Sequence, residues 1–304
     1  MRCRSSLLQR PRVVNTNAPY SAGFSRKKGG AVVLSVSMYK LLATDIDDTL
    51  IDEDHNLPPV NREILTRLHR HQVRIVFASG RADVSIQKVA SAILEPADDE
   101  YYIAFNGARV VTAASRTVMS ASSIASDAVA LVVEYARRHG IYLQGYAQDE
   151  FLVEAECEDT RRYAASTGMR FRVVSDLAAA LAAGSPKLLC IGDREALEPH
   201  RTRIAQISGC AALFSKTRYL EVIRPDVDKG KALRALARKL DIPIAETIAV
   251  GDSSNDVSML RAAGVGIAVA NATDEAKQAA DVILSSFSHD GVLAEIAERF
   301  FPEL

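Results

Sequence analysis

The sequence predicts an α/β fold in which helices cover both faces of a doubly wound parallel sheet. From Met38 onward, short apolar runs alternate with amphipathic helical stretches, which is typical of strands joined by crossover helices. Two of these apolar runs stop abruptly at clusters of aspartates. With 304 residues, of which 48% are hydrophobic, the chain can bury a sizeable core in one large domain or two modest ones.

Composition and charge exclude several classes of protein. The 37 basic and 38 acidic residues nearly cancel, so the chain lacks a basic footprint for nucleic acid, and a small molecule is the expected partner. The four cysteines show no CxxC spacing and no nearby histidine cluster, which argues against a zinc site and favours a reducing, cytoplasmic location. The best apolar run, residues 31–36, is too short to cross a membrane.

Residues 1–37 differ in composition from the rest of the chain. They are rich in arginine, lysine and serine, and no acidic residue precedes Asp45. This composition is typical of an organelle transit peptide, which would place the protein in an organelle. Two alternatives stay open: a disordered basic tail, or a start codon assigned too early, because Met38 would open a compact chain directly.

The first predicted strand, Leu41–Ala43, is apolar throughout and ends at Asp45, Asp47 and Asp48. Ligands of open α/β sheets gather beyond the carboxyl ends of such strands. Two carboxylates at i and i+2 in a turn can converge on a hard cation such as Mg²⁺. A lone pair of this kind is more often an ordinary polar turn, so the interpretation needs partners elsewhere. A calcium loop does not fit, because apolar residues interrupt its alternating oxygen ligands.

A helix and two more strands follow. Two prolines open a predicted helix over residues 58–71, and the strand at 73–78 then ends in the Ser-Gly-Arg turn of residues 79–81. Such a turn can offer a hydroxyl and free backbone N–H groups to a phosphate, although any tight turn favours the same residues. A third strand at 102–105 ends in Asn106 and Gly107, which again is either a site or only a turn.

Between about residues 115 and 224 the pattern changes, and we predict a separate inserted domain. Its order is helix, paired strands, helix, strand, helix, strand, helix and paired strands, with hairpin-like joins near residues 147–150 and 216–218. Three alternating glutamates at 154–158 predict a solvated face, and Lys187 begins a strand. The expected contribution of this insert is shape rather than chemistry.

The sheet pattern resumes at Asp228, which heads a predicted helix reaching Leu240. Lys229 lies in its first turn, where the helix dipole disfavours a cation, and a nearby anion would resolve that conflict. The strand at 247–250 ends in the second acidic cluster, Gly251–Asp256. Two last strands complete a predicted sheet of six, at residues 265–269 and 282–284.

These strand-end motifs together resemble those of the haloacid dehalogenase superfamily, and within it the Cof-type (subfamily IIB) sugar-phosphate phosphatases. In the family's order they are DIDDTL at 45–50, SGR at 79–81, NGA at 106–108, DKG at 228–230 and GDSSND at 251–256. Asp48 stands where many members have glycine, but its neighbours Asp45, Asp47 and Thr49 match the motif. The resemblance begins at Met38 and leaves residues 1–37 uncovered.

The resemblance implies an architecture and a class of substrate. A Rossmann-like core would comprise residues 38–114 and 225–304, and residues 115–224 would form an inserted α/β cap of type C2B that selects the substrate. The implied protein is a phosphatase acting on small phosphorylated metabolites, either sugar phosphates or phosphorylated cofactors. It would have no nucleic-acid or membrane partner and would be a monomer or weak homodimer.

The resemblance also implies a role for each motif residue. Asp45 is the expected nucleophile that forms an aspartyl phosphate, and Asp47 is the expected general acid and base. The expected Mg²⁺ ligands are Asp45, Asp47 through its backbone carbonyl, and Asp252, with Asp256 orienting them from outside. Lys229 would supply the opposing positive charge. The residues expected to bind the substrate phosphate are Ile46, Ser79, Gly80, Lys229 and Asn255.

Two other functions remain to be separated from hydrolysis. A phosphosugar mutase of the same fold would use the same aspartates but hold its intermediate for a second phosphoryl transfer. A non-enzymatic sensor of phosphorylated ligands would have no need of Asp45 or Asp47, whereas every catalytic residue type is present here.

Overall fold

The computed structural model describes residues 38–304, so the predictions made for residues 1–37 lie outside it. The strands are β1 (Leu41–Thr44), β2 (Arg74–Ala78), β3 (Tyr101–Ala104), β4 (Arg109–Thr112), β5 (Val118–Ala121), β6 (Leu143–Ala147), β7 (Glu150–Val153), β8 (Arg170–Val173), β9 (Leu188–Ile191), β10 (Ala211–Lys216), β11 (Tyr219–Ile223), β12 (Thr247–Gly251), β13 (Val265–Ala268) and β14 (Val282–Ile283). The α-helices are α1 (Pro59–Arg70), α2 (Asp83–Ala90), α3 (Ser126–His139), α4 (Glu158–Thr167), α5 (Leu177–Ala180), α6 (Arg194–Ser208), α7 (Lys229–Lys239), α8 (Val257–Ala262), α9 (Asp274–Ala279) and α10 (Val292–Phe300).

The larger sheet has eight strands in the order β14-β13-β12-β1-β2-β3-β4-β5. The six from β14 to β3 are parallel neighbours, which confirms the predicted α/β sheet and its six strands. Chain order runs outward from β1 in both directions, since β2 lies on one side of it and β12 on the other. Open α/β sheets bind ligands at this kind of switch point, beyond the carboxyl ends of the strands.

Strand β1 lies between β12 and β2, and all four of its residues are buried. Parallel strands that are covered on both faces consist almost wholly of apolar residues, which explains the apolar run in the sequence. Its register fixes what surrounds its carboxyl end: Thr44 is opposite Val250 of β12 and opposite Phe77 of β2. The next residue, Asp45, therefore lies beside the turns that follow both neighbouring strands.

Helix α1 shows how the sheet is covered. Pro59 occupies its first turn, where the missing N–H costs nothing, and Ile64, Leu65 and Leu68 form a buried stripe at helical spacing. Burying each of these side chains contributes roughly 2 kcal/mol. The same pattern buries Leu233 and Leu236 of α7. At the start of α7, Lys229 contacts Asp45, just beyond the carboxyl end of β1.

Strands β4 and β5 extend the larger sheet in a way that the sequence did not predict. Both are antiparallel to their neighbours, with Ile103 opposite Val110 and Val110 opposite Ser120. The predicted boundary of the insert at residue 115 therefore differs from the structure, where β5 still belongs to the larger sheet. Strand β5 is mostly exposed and has no apolar run, so the sequence carries little sign of it.

The second sheet has six strands in the order β10-β11-β9-β6-β7-β8. Its element order matches the one predicted for the insert. Side chains of α3 and α6 pack on it and form a second apolar cluster around Val132, Leu188 and Ile204. None of the helices in residues 38–304 combines the length and the hydropathy that crossing a membrane requires.

Candidate active site

The carboxyl ends of β1, β2 and β12 open into a cavity of about 620 Å³. Its walls include most of the residues singled out from the sequence: Asp45, Asp47, Ser79, Gly80, Asp252 and Asn255. The second sheet and α4 supply the opposite wall, which includes Tyr163, Lys187, Ser215, Lys216, Tyr219 and Glu221. The cavity thus lies between the two sheets.

Lys229 joins two of the aspartates. Its side chain is fully buried, and its Nζ donates to Asp45 Oδ1 and to Asp256 Oδ1, both at 2.6 Å. Burial lowers the pKa of Lys229, but the carboxylates of Asp256 and Asp45 outweigh burial, so the net shift is upward and the ammonium stays charged. A lysine in the first turn of α7 is therefore compensated by anions, as the helix dipole argument required.

Three carboxylates converge beside this lysine. Asp45, Asp252 and Asp256 each offer an oxygen, and these oxygens lie within 4.8 Å of one another. Burial raises the pKa of Asp45, with Asp256, Asp252 and Asp47 adding to the rise. Burial and then Asp256 raise the pKa of Asp252 to about 7. Buried carboxylates that repel one another in this way form a fitting site for a hard divalent cation, which would relieve the repulsion.

The four predicted metal-site aspartates do not play equal parts in this cluster. Asp256 Oδ2 accepts from the backbone N–H groups of Asp252 and Ser253 at 3.2 and 3.1 Å, while its Oδ1 is taken by Lys229. Its bonds thus shape the loop that carries Asp252. Thr49 Oγ1 donates to Asp252 Oδ1 at 3.0 Å. The carboxylate of Asp47 lies outside the cluster of three.

Asp47 is instead paired with Arg81. Arg81 Nε donates to Asp47 Oδ2 at 2.8 Å, and Nη2 donates to Oδ1 at 2.5 Å. Burial raises the pKa of Asp47, but the hydrogen bonds and charge of Arg81 outweigh burial and lower it. A carboxylate held this way stays ionised, so it must leave Arg81 before it can carry a proton to a leaving group. The sequence placed Arg81 in a motif but assigned it no role.

The predicted phosphate-binding turn, residues 79–81, is held by a backbone hydrogen bond from Asn106. Ser79 is buried, and its carbonyl accepts from the Asn106 N–H at 3.0 Å. In a planar trans peptide the N–H points opposite the carbonyl, so the Gly80 N–H is directed away from Asn106. A Cβ on Gly80 would lie 3.2 Å from the Asn106 side chain, so the close approach favours glycine.

Asn255 and Ile46 complete the predicted set. Asn255 Nδ2 donates to Asn106 Oδ1 at 3.0 Å, and Ser253 Oγ donates to Asn255 Oδ1 at 2.6 Å. Ile46 is fully buried, so only its main chain could reach a substrate. Its carbonyl accepts from the N–H groups of Leu50 and Ile51, both at 3.0 Å.

Several residues of the opposite wall were not predicted as functional. Lys187 was noted only as the start of a strand, yet its Nζ donates to the Gly80 carbonyl and to Glu221 Oε1, both at 2.9 Å. Glu221 lies 141 residues further along the chain than Gly80, as the residue numbers show. No local sequence pattern predicts a contact over this distance. The alternation of inward- and outward-facing side chains along β9 and β11 could have indicated only which of them face the core.

Comparisons with known proteins identify the family of this chain. A family model described as haloacid dehalogenase-like hydrolase matches residues 42–296. HMP-PP phosphatase of Cronobacter sakazakii is 30% identical over 237 residues, which cover 77% of this chain and 85% of that protein. A solved haloacid dehalogenase-like hydrolase from Bacteroides thetaiotaomicron has a TM-score of 0.79 and 29% identity, covering 86% of this chain and all (100%) of that one.

A solved Thermotoga maritima protein is similar to the same extent, with a TM-score of 0.78 and 28% identity over 86% of this chain and 97% of its own. The family match extends from β1 into α10 and therefore includes both acidic strand ends. The chain therefore belongs to the haloacid dehalogenase-like hydrolases, and it is a Cof-type phosphatase of that superfamily, as its motifs predict.

Proposed function

We propose that this enzyme is a Mg²⁺-dependent phosphatase that hydrolyses small phosphorylated metabolites through an aspartyl phosphate on Asp45. The observation that carries the proposal is the convergence of Asp45, Asp252 and Asp256 around Lys229 in one cavity. Nucleophile, opposing cation and a carboxylate cluster are the parts that phosphoryl transfer requires.

In the first step a carboxylate oxygen of Asp45 attacks phosphorus, and the bond to the leaving oxygen breaks. Lys229 holds Asp45 in place through a 2.6 Å hydrogen bond, and its ammonium offsets the negative charge of the incoming phosphate. In the second step water attacks the aspartyl phosphate and releases inorganic phosphate, which regenerates the Asp45 carboxylate. The split replaces one difficult hydrolysis with two easier steps.

Asp47 is the proposed general acid and base. It would protonate the leaving oxygen in the first step and take a proton from water in the second. Both tasks need the carboxylate free of the bidentate contact with Arg81, so the Asp47–Arg81 pair must separate before the first step. Arg81 is thereby proposed to keep the Asp47 carboxylate engaged between turnovers.

Asp45, Asp252 and the backbone of Asp47 would hold Mg²⁺, and Asp256 would fix the loop around it. When bound, the ion would offset the repulsion between the Asp45 carboxylate and the substrate phosphate. The phosphoryl oxygens would be bound by Ser79, the Gly80 N–H, the main chain of Ile46 and Asn255. The direction of the Gly80 N–H away from Asn106 supports its part in this set.

The size of the cavity supports the proposed substrate class. Its volume of about 620 Å³ suits a metabolite of sugar-phosphate or phosphorylated-cofactor size. Phosphate release should therefore be measured across a panel of sugar phosphates, flavin mononucleotide, pyridoxal phosphate and HMP-PP, the compound in the name of the Cronobacter relative. Release of inorganic phosphate rather than a rearranged phosphosugar would separate hydrolysis from mutase chemistry.

The deciding experiment compares the wild type with Asp45→Asn. The amide matches the carboxylate in size but cannot attack phosphorus, so turnover should vanish while the fold persists by circular dichroism. Rapid acid quench during turnover of a substrate labelled in its phosphoryl group should trap an acyl phosphate on the wild type and none on Asp45→Asn. Turnover by Asp45→Asn near the wild-type rate would refute the proposal.

A further inference from the structure

Glu221 of β11 is a buried carboxylate whose acceptor positions are shared by three donors. Oε1 accepts from Lys187 Nζ and from Ser215 Oγ, both at 2.9 Å, and Oε2 accepts from Asn106 Nδ2 at 2.8 Å. Lys187 and Ser215 belong to the second sheet region, whereas Asn106 follows β3 of the larger sheet. The carboxylate therefore links the two sheets at the edge of the cavity.

The orientation of Asn106 follows from this contact. An ionised carboxylate can only accept, so Asn106 must turn its NH₂ group to Glu221 and its carbonyl oxygen the other way. That oxygen accepts from Asn255 Nδ2 at 3.0 Å. Asn255 must therefore present its NH₂ group to Asn106, and its own carbonyl accepts from Ser253 Oγ at 2.6 Å. The charge on Glu221 thus sets which way two amides face.

A second branch reaches the turn after β2. Lys187 Nζ donates to the Gly80 carbonyl at 2.9 Å while it is paired with Glu221, and its side chain is only 3% exposed. The Ser79 carbonyl is held by the Asn106 N–H. Both carbonyls that flank Gly80 are therefore engaged, which fixes the planes of the two peptides.

The backbone just before Asn106 indicates that this arrangement is maintained at a cost. Phe105 and Asn106 have φ values of 51° and 56°, in a left-handed region that asparagine tolerates but phenylalanine rarely adopts. The strain at Phe105 costs about 1–2 kcal/mol and persists where the surroundings dictate it, often at functional sites. The NGA motif at 106–108 had no function assigned from the sequence.

We propose that Glu221 and Asn106 are positioning residues, which set the orientation of Asn255 and of the Gly80 peptide toward the transferred phosphoryl group. The inference rests on the proposed function, since it assigns Asn255 and Gly80 to that phosphate. The Lys187–Glu221 ion pair of the second sheet would thereby control the orientation of Asn255 and of the Gly80 peptide at the carboxyl end of the larger sheet.

Glu221→Gln tests the proposal with almost no change of shape. Lys187 has only donors, so the oxygen of the introduced amide must stay on it, and the NH₂ group of that amide then faces the NH₂ group of Asn106. Asn106 must flip, and Asn255 must flip in turn. We expect kcat to fall about 10- to 100-fold, and orthovanadate, a mimic of five-coordinate phosphorus, to inhibit more weakly by a similar factor. KM should change less than kcat.

The variant Glu221→Gln/Asn106→Asp provides a rescue. The carboxylate then lies at position 106, where it can accept from the NH₂ group of the introduced glutamine and from Asn255 Nδ2, so Asn255 regains its orientation. Aspartate also tolerates the left-handed backbone. Asn106→Asp alone sets two carboxylates against each other and should lose activity. We expect the double variant to recover to within about threefold of the wild type, a non-additivity that marks direct coupling.

Glu100→Gln is the matched control, because Glu100 is also a buried glutamate, 2% exposed, and has no bond to the site. Should Glu221→Gln fail to fold, Asn106→Gly decides the question, since it leaves the Lys187–Glu221 pair intact and tolerates the backbone. Gln148→Gly is its control, at a left-handed residue (φ 53°) in the β6–β7 hairpin.

The outcomes separate this inference from the proposed function. Wild-type turnover with loss in Asp45→Asn establishes the function first. Given that, a folded Glu221→Gln with kcat and vanadate inhibition within twofold of Glu100→Gln would overturn the positioning role. A double variant no better than the weaker single variant would overturn it as well. If Glu221→Gln does not fold and Asn106→Gly is used instead, a kcat for Asn106→Gly equal to that of Gln148→Gly would also overturn the positioning role.

Discussion

At the scale of single residues, the site depends on charges that are buried and paired. Lys229 is the clearest case, because an ammonium with no exposed surface would be unstable there without Asp45 and Asp256. Removing it leaves two buried carboxylates without an ion-pair partner among residues 38–304. Its loss should therefore affect both the charge balance and the position of Asp45.

Lys229→Ala should lower kcat/KM by about 100- to 1,000-fold, the scale found for removing one preorganised electrostatic group. Lys231→Ala is the matched control, since Lys231 lies two residues further on and its side chain is 61% exposed. The control should stay within about twofold of the wild type. Steady-state kinetics at saturating Mg²⁺ would check this, and equal losses in the two variants would contradict the role given to Lys229.

Lys216 is a cation in the wall of the cavity. Within residues 38–304 its side chain forms neither a hydrogen bond nor an ion pair, although its charge helps to lower the pKa of Asp47, after burial and Arg81. The strand β10 shifts register between Phe214 and Lys216 just before the hairpin. Because Asp47 is the proposed donor to the leaving oxygen, we expect Lys216 to lie on the leaving-group side.

We expect Lys216→Met to raise KM about tenfold for substrates that carry a second anionic group, such as a diphosphate ester or a sugar bisphosphate. A substrate whose only charge is the transferred phosphate, such as p-nitrophenyl phosphate, should keep its KM. Lys239→Met, at the exposed end of α7, is the control. An equal change of KM for both substrate types would contradict the assignment.

Glu100 predicts a pH dependence of stability. Burial raises the pKa of its side chain to about 7, and Oε1 has no hydrogen-bond partner within residues 38–304, although His69 Nδ1 lies 3.3 Å away. A carboxyl whose folded-state pKa is raised favours folding when protonated. Stability from this group is therefore present at low pH and lost as pH rises from about 4.5 to 7.

Glu100→Gln should remove this loss. The free energy of unfolding of the wild type should fall relative to the variant between pH 5 and 8, by at most about 3 kcal/mol. Urea unfolding at several pH values measures the difference, and taking wild type minus variant cancels the contribution of Asp252, whose pKa is also raised. Glu63→Gln, a 68% exposed glutamate on α1, should show no such trend. A constant difference across the range would refute the prediction.

At the scale of elements, the parallel strands could be predicted and the pairing of β5 could not. Strands such as β1 and β12 are buried throughout, so they appear in the sequence as apolar runs with abrupt polar ends. Strand β5 is mostly exposed, and its sequence VMSA has no periodicity that separates it from a loop. Its position follows from pairing with β4, which is tertiary information.

The same limit applies to the site. Motifs at strand ends could be predicted because sheet geometry brings the carboxyl ends of parallel strands together. The pairing of Asp47 with Arg81 and the chain from Glu221 to Asn255 depend on side-chain directions across elements far apart in sequence. A sequence gives residue types and their spacing. Packing decides that Asp47 contacts Arg81 whereas Asp45 contacts Lys229.

Gly107 tests how closely the turn after β3 packs on α7. Its φ is +104°, and a Cβ there would lie 2.5 Å from the Asp228 carbonyl oxygen, next to the start of α7. Gly107→Ala should cost about 2–4 kcal/mol of unfolding free energy through backbone strain and steric clash together. Gly140→Ala is the control, because Gly140 has φ +64° but open space, so only the strain of about 1 kcal/mol applies. Equal losses in urea unfolding would show that the turn can move away from α7.

At the scale of the whole molecule, the two sheets divide the work of the site. The aspartates follow strands of the larger sheet and Lys229 begins α7, whereas Glu221 lies in the second sheet and its buried partner Lys187 directly precedes β9 of that sheet. The three clustered carboxylates leave the core with an excess of negative charge that Lys229 only partly offsets. A divalent cation at this point should therefore stabilise the whole fold and not only the transition state.

We expect Mg²⁺ to raise the melting temperature of the chelator-treated protein by several degrees, because a ligand at 100 times its Kd adds about 2.7 kcal/mol to the free energy of unfolding. Asp252→Asn should abolish this rise. Without Mg²⁺, however, the variant should melt at or above the wild-type temperature, because the substitution removes an unfavourably placed carboxylate. Burial and the neighbouring Asp256 raise the pKa of that carboxylate to about 7. Asp226→Asn, an exposed partner of Arg224, should keep the full Mg²⁺ effect. Calorimetric melting curves with and without Mg²⁺ distinguish these cases. A Mg²⁺-induced rise of the same size in Asp252→Asn would place the cation elsewhere and break the link between the carboxylate cluster and the metal.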